Sequence, residues 1–360
     1  MGTVLGVVGV AVLGLLLLAV FGYLVVFVGP GAVAVGFVAA LLPLAIVLSA
    51  VAWIDRWEPE PRLALLFAFL WGAAASVAIA LLVDLGVQVA AMVSGQGTGA
   101  FLQAAVQAPI VEETAKGLGL LILFYAARKH FAGPVDGLVY GAVVAAGFAF
   151  TENIQYFGLA LAEGGVDDLG LTFFVRAVMS PFAHVTFTAL TGLALGLAAR
   201  RHAGLGAFGY FLVGLLGAIL LHALWNGATF VVTSLESYAS YYLLVQVPIF
   251  VTLIVLTVVV RRHEIRLTEA RLGEYAAAGW FTPVEVQMLA TWPGRRQARA
   301  WARSLPGDRA AAMTVFTRDA TRLAMTRQRM ITGRNELVHR RTESELLASV
   351  SAARRQVLGE

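Results

Sequence analysis

Pro109-Ile110-Val111-Glu112-Glu113-Thr114-Ala115-Lys116 sets two carboxylates and an ammonium inside an apolar run that extends from about Phe101 to Ala127. The run is long enough to cross a bilayer. Each charged side chain at mid-membrane costs about 3 kcal/mol on insertion scales, so three within five positions need compensation. Lys116 follows Glu112 by four residues and Glu113 by three, both helical neighbour spacings, so it neutralises one carboxylate and leaves the other for chemistry. A buried ion cluster that only ties helices together is the plainer alternative; intramembrane ionisable groups are functional by default.

The rest of the chain fits a bilayer. Of its 360 residues 59% are hydrophobic and 13% charged, and the mean hydropathy is +0.80, far outside the soluble globular range. Residues 1–260 are net −4 and residues 261–360 net +8. A basic tail directly after a last span suits contact with anionic lipid on the cytoplasmic side; a solvated helical surface is the blander alternative, and nucleic acid is not expected as a partner. The absence of cysteine excludes disulfides, thiolate nucleophiles and Cys-ligated metals. No basic region precedes the first apolar run and no small-residue cleavage site follows it, so that run is expected to stay as an anchor.

Apolar runs fall at 4–28, 32–53, 63–93, 101–127, 137–162, 170–199, 205–232 and 241–260. They predict an all-α polytopic protein with about eight transmembrane helices and a soluble helical C-terminal tail, divided as 1–260 and 261–360. Polar or Gly/Pro punctuation separates the runs, including Ser94–Gly99, Glu163–Asp168 and Arg200–Ala203; Asp84 marks a further stop inside the third run. Arg56 and Arg62, Arg128 and Lys129, Arg200 and Arg201, and Arg261 and Arg262 occupy alternate connections. That pattern places both termini in the cytoplasm. Asp55–Pro61 reads as a stiff acidic loop with Trp53 and Trp57 at interfacial depth. In the tail, Thr282-Pro283-Val284-Glu285 has capping-box spacing, Pro293-Gly294 and Pro306-Gly307 are expected breaks, and 308–332 and 334–357 read as amphipathic helices.

Polar groups on four of the runs share a depth. At 1.5 Å per residue, Glu112 and Glu113 lie roughly 18 Å, Glu152 roughly 15 Å, His184 roughly 21 Å and His222 roughly 15 Å from the outer ends of their helices. Two imidazoles and several carboxylates then surround one buried volume. His222 and Asn226 are four apart and face one way, as do Phe148, Glu152 and Tyr156. Asn153 and Tyr156 suit support, Trp225 suits packing, and Arg176 suits snorkelling near an outer end or pairing with Asp167 or Asp168.

Two chemistries use such a set for peptide hydrolysis. In one, Glu152, His184 and His222 hold Zn²⁺ and Glu112 or Glu113 is the base. In the other no metal is bound: a Glu activates water while His222 and Asn226 stabilise the oxyanion. There is no HExxH helix.

The same residues resemble the motifs of the PrsW family of intramembrane proteases, related to the CAAX-prenyl endopeptidase and bacteriocin-immunity superfamily. Glu112-Glu113-x-x-Lys116 is similar to its first motif, Phe148-x-x-x-Glu152 to the second, His184 to the third and His222-Ala223-Leu224-Trp225-Asn226 to the fourth. The resemblance covers roughly 35–260. In the broader superfamily the second motif usually ends in His, whereas here it ends in Glu152. The resemblance implies an intramembrane endopeptidase in a bacterial-type cell membrane, acting on a membrane-anchored, anti-sigma-factor-like protein by a metal-dependent or glutamate-dependent route. Catalysis is expected of Glu112, Glu113 and Asn226, metal ligation of Glu152, His184 and His222, and support of Lys116, Asn153 and Tyr156. A proton-coupled transporter and a non-proteolytic immunity protein are the rival functions.

Overall fold

The computed structural model describes residues 3–95, 97, 99–128, 131, 133–201, 205–331 and 336–359. All regular structure among these residues is helical. The chain is an all-α, polytopic membrane protein: Val4–Val28, Pro30–Ile54, Arg62–Ser94, Pro134–Arg200, Gly206–Ala228 and Glu236–Ala277 are long and apolar enough to cross a bilayer. Outward side chains such as Val4, Leu15, Leu18 and Val26 are exposed and apolar, as a lipid-facing surface requires. Lys129 and Ala203, expected in connecting loops, lie outside the described residues, as does Thr98.

The chain divides into two compact units, Met1–Asp55 with Glu60–Thr257, and Arg56–Pro59 with Val258–Glu360. The first contains α1 (Thr3–Val28), α2 (Pro30–Ile54), α3 (Arg62–Leu70), α4 (Val77–Ser94), α5 (Ala100–Leu102), α6 (Ala108–Ala126), α7 (Pro134–Phe173), α8 (Ala183–Arg201), α9 (Leu205–Ala228), α10 (Leu235–Tyr241) and the start of α11 (Val247–Ala277). Helix α7 is its pillar. Pro134 opens α7 at the first helical turn and Asp136 Oδ2 accepts from the Gly133 N–H at 2.9 Å. From Val135 to Phe148 the helix is buried almost continuously, against α2 and α8 among others.

Close backbone approach makes that packing possible. A Cβ built on Gly137 would strike the Gly192 carbonyl, and one on Gly192 would strike the Gly137 carbonyl; Gly72 and Gly147 stand in the same relation to the carbonyls of Val144 and Phe69. Lipid is as apolar as leucine, so contact between helices in a bilayer depends on such small-residue seams rather than on hydrophobic exclusion.

Widened, π-helical turns interrupt the regular ladder at Trp71–Ser76, Gln103–Gln107, Phe174–Met179 and Tyr242–Gln246. Three of them end two residues before a proline, namely Pro109, Pro181 and Pro248. Proline lacks an N–H and its ring collides with the carbonyl four residues back, and a wider turn relieves that collision. At Pro181 the helix breaks outright: Ser180 caps the Val175 carbonyl through both its N–H (3.0 Å) and its hydroxyl (2.7 Å), and α8 starts at Ala183.

One expected boundary is corrected here and one break is added. Within the expected Glu163–Asp168 punctuation the backbone leaves helical geometry at Gly165 (φ 75°, ψ −156°), where two helical segments meet inside α7, and a further break that was not expected falls at Ser180-Pro181-Phe182. The third run does not stop at Asp84, whose carboxylate accepts from Gln88 Nε2 at 2.7 Å one turn on. At Asp84 the side-chain bond to Gln88 leaves the helix intact, whereas at Pro181 the missing proline N–H breaks it.

The second unit packs the end of α11 with α12 (Pro283–Leu289), α13 (Trp292–Ser304), α14 (Arg309–Ile331) and α15 (Glu336–Leu358) around Leu272, Phe281, Leu289, Met313, Phe316 and Leu323. Thr282 and Glu285 form the expected capping box. The expected break at Pro293-Gly294 falls just ahead of it: α12 ends at Leu289 and Pro293 sits in the first turn of α13, where the Gly294 N–H donates to Thr291 Oγ1. Trp57 is also not at an interface. It is 3% exposed, donates to Thr268 Oγ1 at 3.1 Å, and lies under the Arg295 guanidinium, 3.3 Å from its ring centroid. Arg295 in turn donates to the carbonyls of Trp57 and Leu289 and to Thr321 Oγ1. Burial among these neutral acceptors pushes its pKa down to about 9.

Two substitutions test this packing. Gly192→Leu should lower the thermal midpoint of detergent-purified protein by the equivalent of about 1–3 kcal/mol or more, as overpacking does; Gly209→Leu, at a position where an added Cβ meets nothing within 4 Å, should leave it unchanged. Trp57→Ala should loosen the second unit by about 3–5 kcal/mol, read as faster amide exchange across 283–331.

Candidate active site

Glu112 and Glu113 are about 100° apart around α6, so they face different surroundings. Glu113 points into protein and is 1% exposed. Three donors converge on it: Lys116 Nζ at 2.6 Å and His222 Nδ1 at 3.0 Å on Oε1, and the Thr188 hydroxyl at 2.8 Å on Oε2. A carboxylate so engaged is an orienting group with little acceptor capacity left. Because His222 gives its Nδ1 proton to Glu113, its Nε2 lone pair faces the other way, toward Glu112 Oε2 at 3.9 Å.

Lys116 is fully buried and holds a second position. Its ammonium is 3.2 Å from His184 Nδ1, 3.7 Å from Glu112 Oε2 and 4.0 Å from the Phe148 ring centroid. An ammonium only donates, so His184 Nδ1 is the acceptor and its proton sits on Nε2, which meets Glu152 Oε2 at 2.8 Å. Arg176 also binds Glu152 Oε2, donates through Nε to Asn153 Oδ1 at 2.7 Å, and stacks over the Tyr156 ring at 4.1 Å. Arg176 therefore is not a snorkelling residue and does not need Asp167 or Asp168; the widened turn at Phe174–Met179 carries it inward.

A cavity of about 310 Å³ opens onto this cluster. Glu112, Glu152, Asn153, Tyr156, His184, His222 and Asn226 line it, whereas Glu113 and Lys116 stand behind its wall. Glu112 Oε2 is buried and has no hydrogen-bond partner. Asn226 Nδ2 donates to the Ala104 carbonyl at 2.9 Å. Ala104 lies five residues before Pro109, so the carbonyl that a π-turn would pair with residue 109 meets no N–H there, and Asn226 takes it instead.

The expected metal set changes by one residue when the distances are considered. Glu112, His184 and His222 offer ligand atoms that all lie within 4.8 Å of one another. Glu152 is drawn off by Arg176. The cluster holds three carboxylates against the two fixed cations Lys116 and Arg176, so with neutral imidazoles it carries one uncompensated negative charge in a buried setting. A bound cation answers that imbalance. The donor chemistry fits as well: Glu112 Oε2 has no hydrogen-bond partner, His222 Nε2 is presented by the Glu113 hydrogen bond, and His184 Nε2 would join them on giving up both its proton and its hydrogen bond to Glu152.

One residue of the cluster, Thr188, and one pairing, Arg176 with Glu152, were not read from the sequence. Thr188 follows His184 by four positions on α8 and so shares its face. Arg176 was visible as a lone cation in an apolar run; its partner Glu152 was not, because the break at Pro181 was not anticipated.

A family model described as "PrsW family intramembrane metalloprotease" matches residues 60–253. "Protease PrsW" of Bacillus subtilis (strain 168) is 33% identical over 147 residues, 41% of this chain and 62% of that protein. "Protease PrsW" of Clostridioides difficile (strain 630) is 34% identical over 162 residues, 43% and 63% of the two. The chain thus spans about six-tenths of the length of these curated relatives. No solved structure matches.

Removing the ammonium should be costly. Lys116→Met is expected to destabilise the purified protein by about 3–5 kcal/mol, because Glu113 stays buried without its counter-charge. Adding Glu113→Gln to that variant should recover much of the loss, and a double-mutant cycle by chemical unfolding in detergent measures the coupling.

Proposed function

This chain belongs to the PrsW family of intramembrane metalloproteases, and from that premise we propose that it hydrolyses a peptide bond of a membrane-anchored protein in the cavity bounded by Glu112, His184 and His222. One observation carries the proposal: of the two adjacent carboxylates, Glu113 is saturated by three donors, while Glu112 faces the cavity with an unpartnered oxygen.

Each residue then has a distinct task. Glu112 accepts a proton from water as the water oxygen bonds to the scissile carbonyl carbon, and returns it to the departing amine nitrogen as the C–N bond breaks. Glu113 fixes the tautomer and orientation of His222. Lys116 offsets the charge of both glutamates. Arg176 holds Glu152 next to His184, supported by Asn153 and Tyr156. Asn226 keeps the widened turn before α6 in shape, and so positions Glu112, while its remaining capacity serves the oxyanion. In the alternative, metal-dependent route Glu112 would serve as a ligand instead of the base and would hold Zn²⁺ with His184 and His222, and the ion when bound would acidify a water and polarise the carbonyl.

The wider setting is part of the same proposal. Eight spans with both termini in the cytoplasm fit the alternation of basic connections, with a protease domain over 1–260. A basic cytosolic domain over 261–360 follows, suited to anionic lipid. We extend the family placement to the CAAX-protease and bacteriocin-immunity superfamily on the four motifs, and take an anti-sigma-factor-like protein of a bacterial-type membrane as the substrate class.

Glu112→Gln should reduce cleavage of a single-span substrate by purified enzyme about 10²- to 10⁴-fold, with the thermal midpoint retained. Cleavage at the parent rate would overturn the assignment of Glu112. His222→Ala should lose near-stoichiometric zinc on elemental analysis; full activity of metal-stripped protein would exclude the metal role.

A further inference from the structure

A second cavity, about 230 Å³, lies where α9, α10 and the start of α11 face the Pro181 break. It shares Val175, Ser180, Trp225 and Thr229 with the catalytic cavity, so the two are neighbours with a common wall. Trp225, Tyr238 and Tyr241 give it aromatic walls. Gln246 lines it too. This glutamine is 3% exposed, yet its Oε1 has no hydrogen-bond partner.

An unpartnered buried carbonyl costs about 1–3 kcal/mol in a protein interior. The amide bonds the Tyr241 side chain, which accounts for a polar residue here but leaves Oε1 unsatisfied. Gln246 is the last residue of the widened turn Tyr242–Gln246, two before Pro248. That turn sits in a span whose other large side chains, among them Leu243, Leu244, Val251 and Ile254, are mostly exposed. An acceptor is thus held in an aromatic chamber that shares part of its wall with the catalytic cavity.

The ligand chemistry follows from what hydrolysis inside a membrane demands. A transmembrane substrate keeps its N–H groups bonded within its own helix, and a peptide bond can be attacked only after that helix opens. The opened segment carries N–H donors that need new acceptors in a place without water. We propose that the chamber between Trp225, Tyr238 and Gln246 is a substrate subsite. It seats one large apolar or aromatic side chain flanking the scissile bond, while Gln246 Oε1 accepts a backbone N–H of the unwound strand. This inference rests on the proteolytic reading above and adds to it a specificity-determining residue remote from the acid–base groups.

Binding tests it separately from cleavage. The probe is a fluorophore-labelled synthetic peptide with one Leu/Ala-rich transmembrane stretch interrupted by Gly-Pro, titrated into nanodiscs holding full-length Glu112→Gln protein, which binds without turnover. Adding Gln246→Leu should weaken binding about 5- to 10-fold without lowering the thermal midpoint. An ester scan through the probe should find one amide whose replacement weakens binding to the Gln246 protein and leaves binding to Gln246→Leu unchanged. Equal affinity of the two proteins, a loss that tracks a lowered midpoint, or no binding of the probe to either would overturn the subsite. In the Glu112 background, cleavage by Gln246→Leu with unchanged kcat/KM would remove the subsite and keep the protease; a bound but never cleaved probe with the ester pattern intact would do the reverse.

Discussion

The buried ion pair of Lys116 and Glu113 is the interaction on which the site depends. Neither group touches solvent, so each is tolerable only because the other is present. Having met Glu113, Lys116 still reaches His184, and Glu113 still accepts from His222 and Thr188. One pair therefore fixes the tautomers of both histidines, one through its positive and one through its negative member. What it leaves over is Glu112, close enough to feel the ammonium and the imidazole but bonded to neither.

Proline placement builds the surroundings of that pair. Pro109, Pro181 and Pro248 each follow a widened turn by two residues, and these turns redirect side chains that a regular helix would send elsewhere. Arg176 turns in to reach Glu152, Gln246 turns in to the second chamber, and the carbonyl of Ala104 is freed for Asn226. The glycine seams of α7 do the complementary work. They bring α3 and α8 close enough for Glu152 and His184 to meet.

Much of the site was legible because charge is so expensive in lipid. Glu112, Glu113, Glu152, His184 and His222 stand out against an apolar background, and helical spacing alone pairs Lys116 with the glutamates and His222 with Asn226. His184 does not lie at the depth that a straight run starting at 170 implies, because the chain breaks at Pro181 and His184 sits in the first turn of α8. It still reaches Glu152, because the break returns the chain toward α7.

The sequence by itself determined that this is an all-helical membrane chain with an apolar front, a basic soluble-like tail and a small set of ionisable groups too costly to be incidental, since hydropathy and helical period are local properties. Only the tertiary structure decided how those groups divide their labour. Whether Glu113 or Glu112 is saturated, whether Glu152 faces His184 or a cation, and whether Trp57 meets lipid or Arg295 depend on side chains brought together from distant segments. Spacing along one helix carries no record of which neighbour stands across from it.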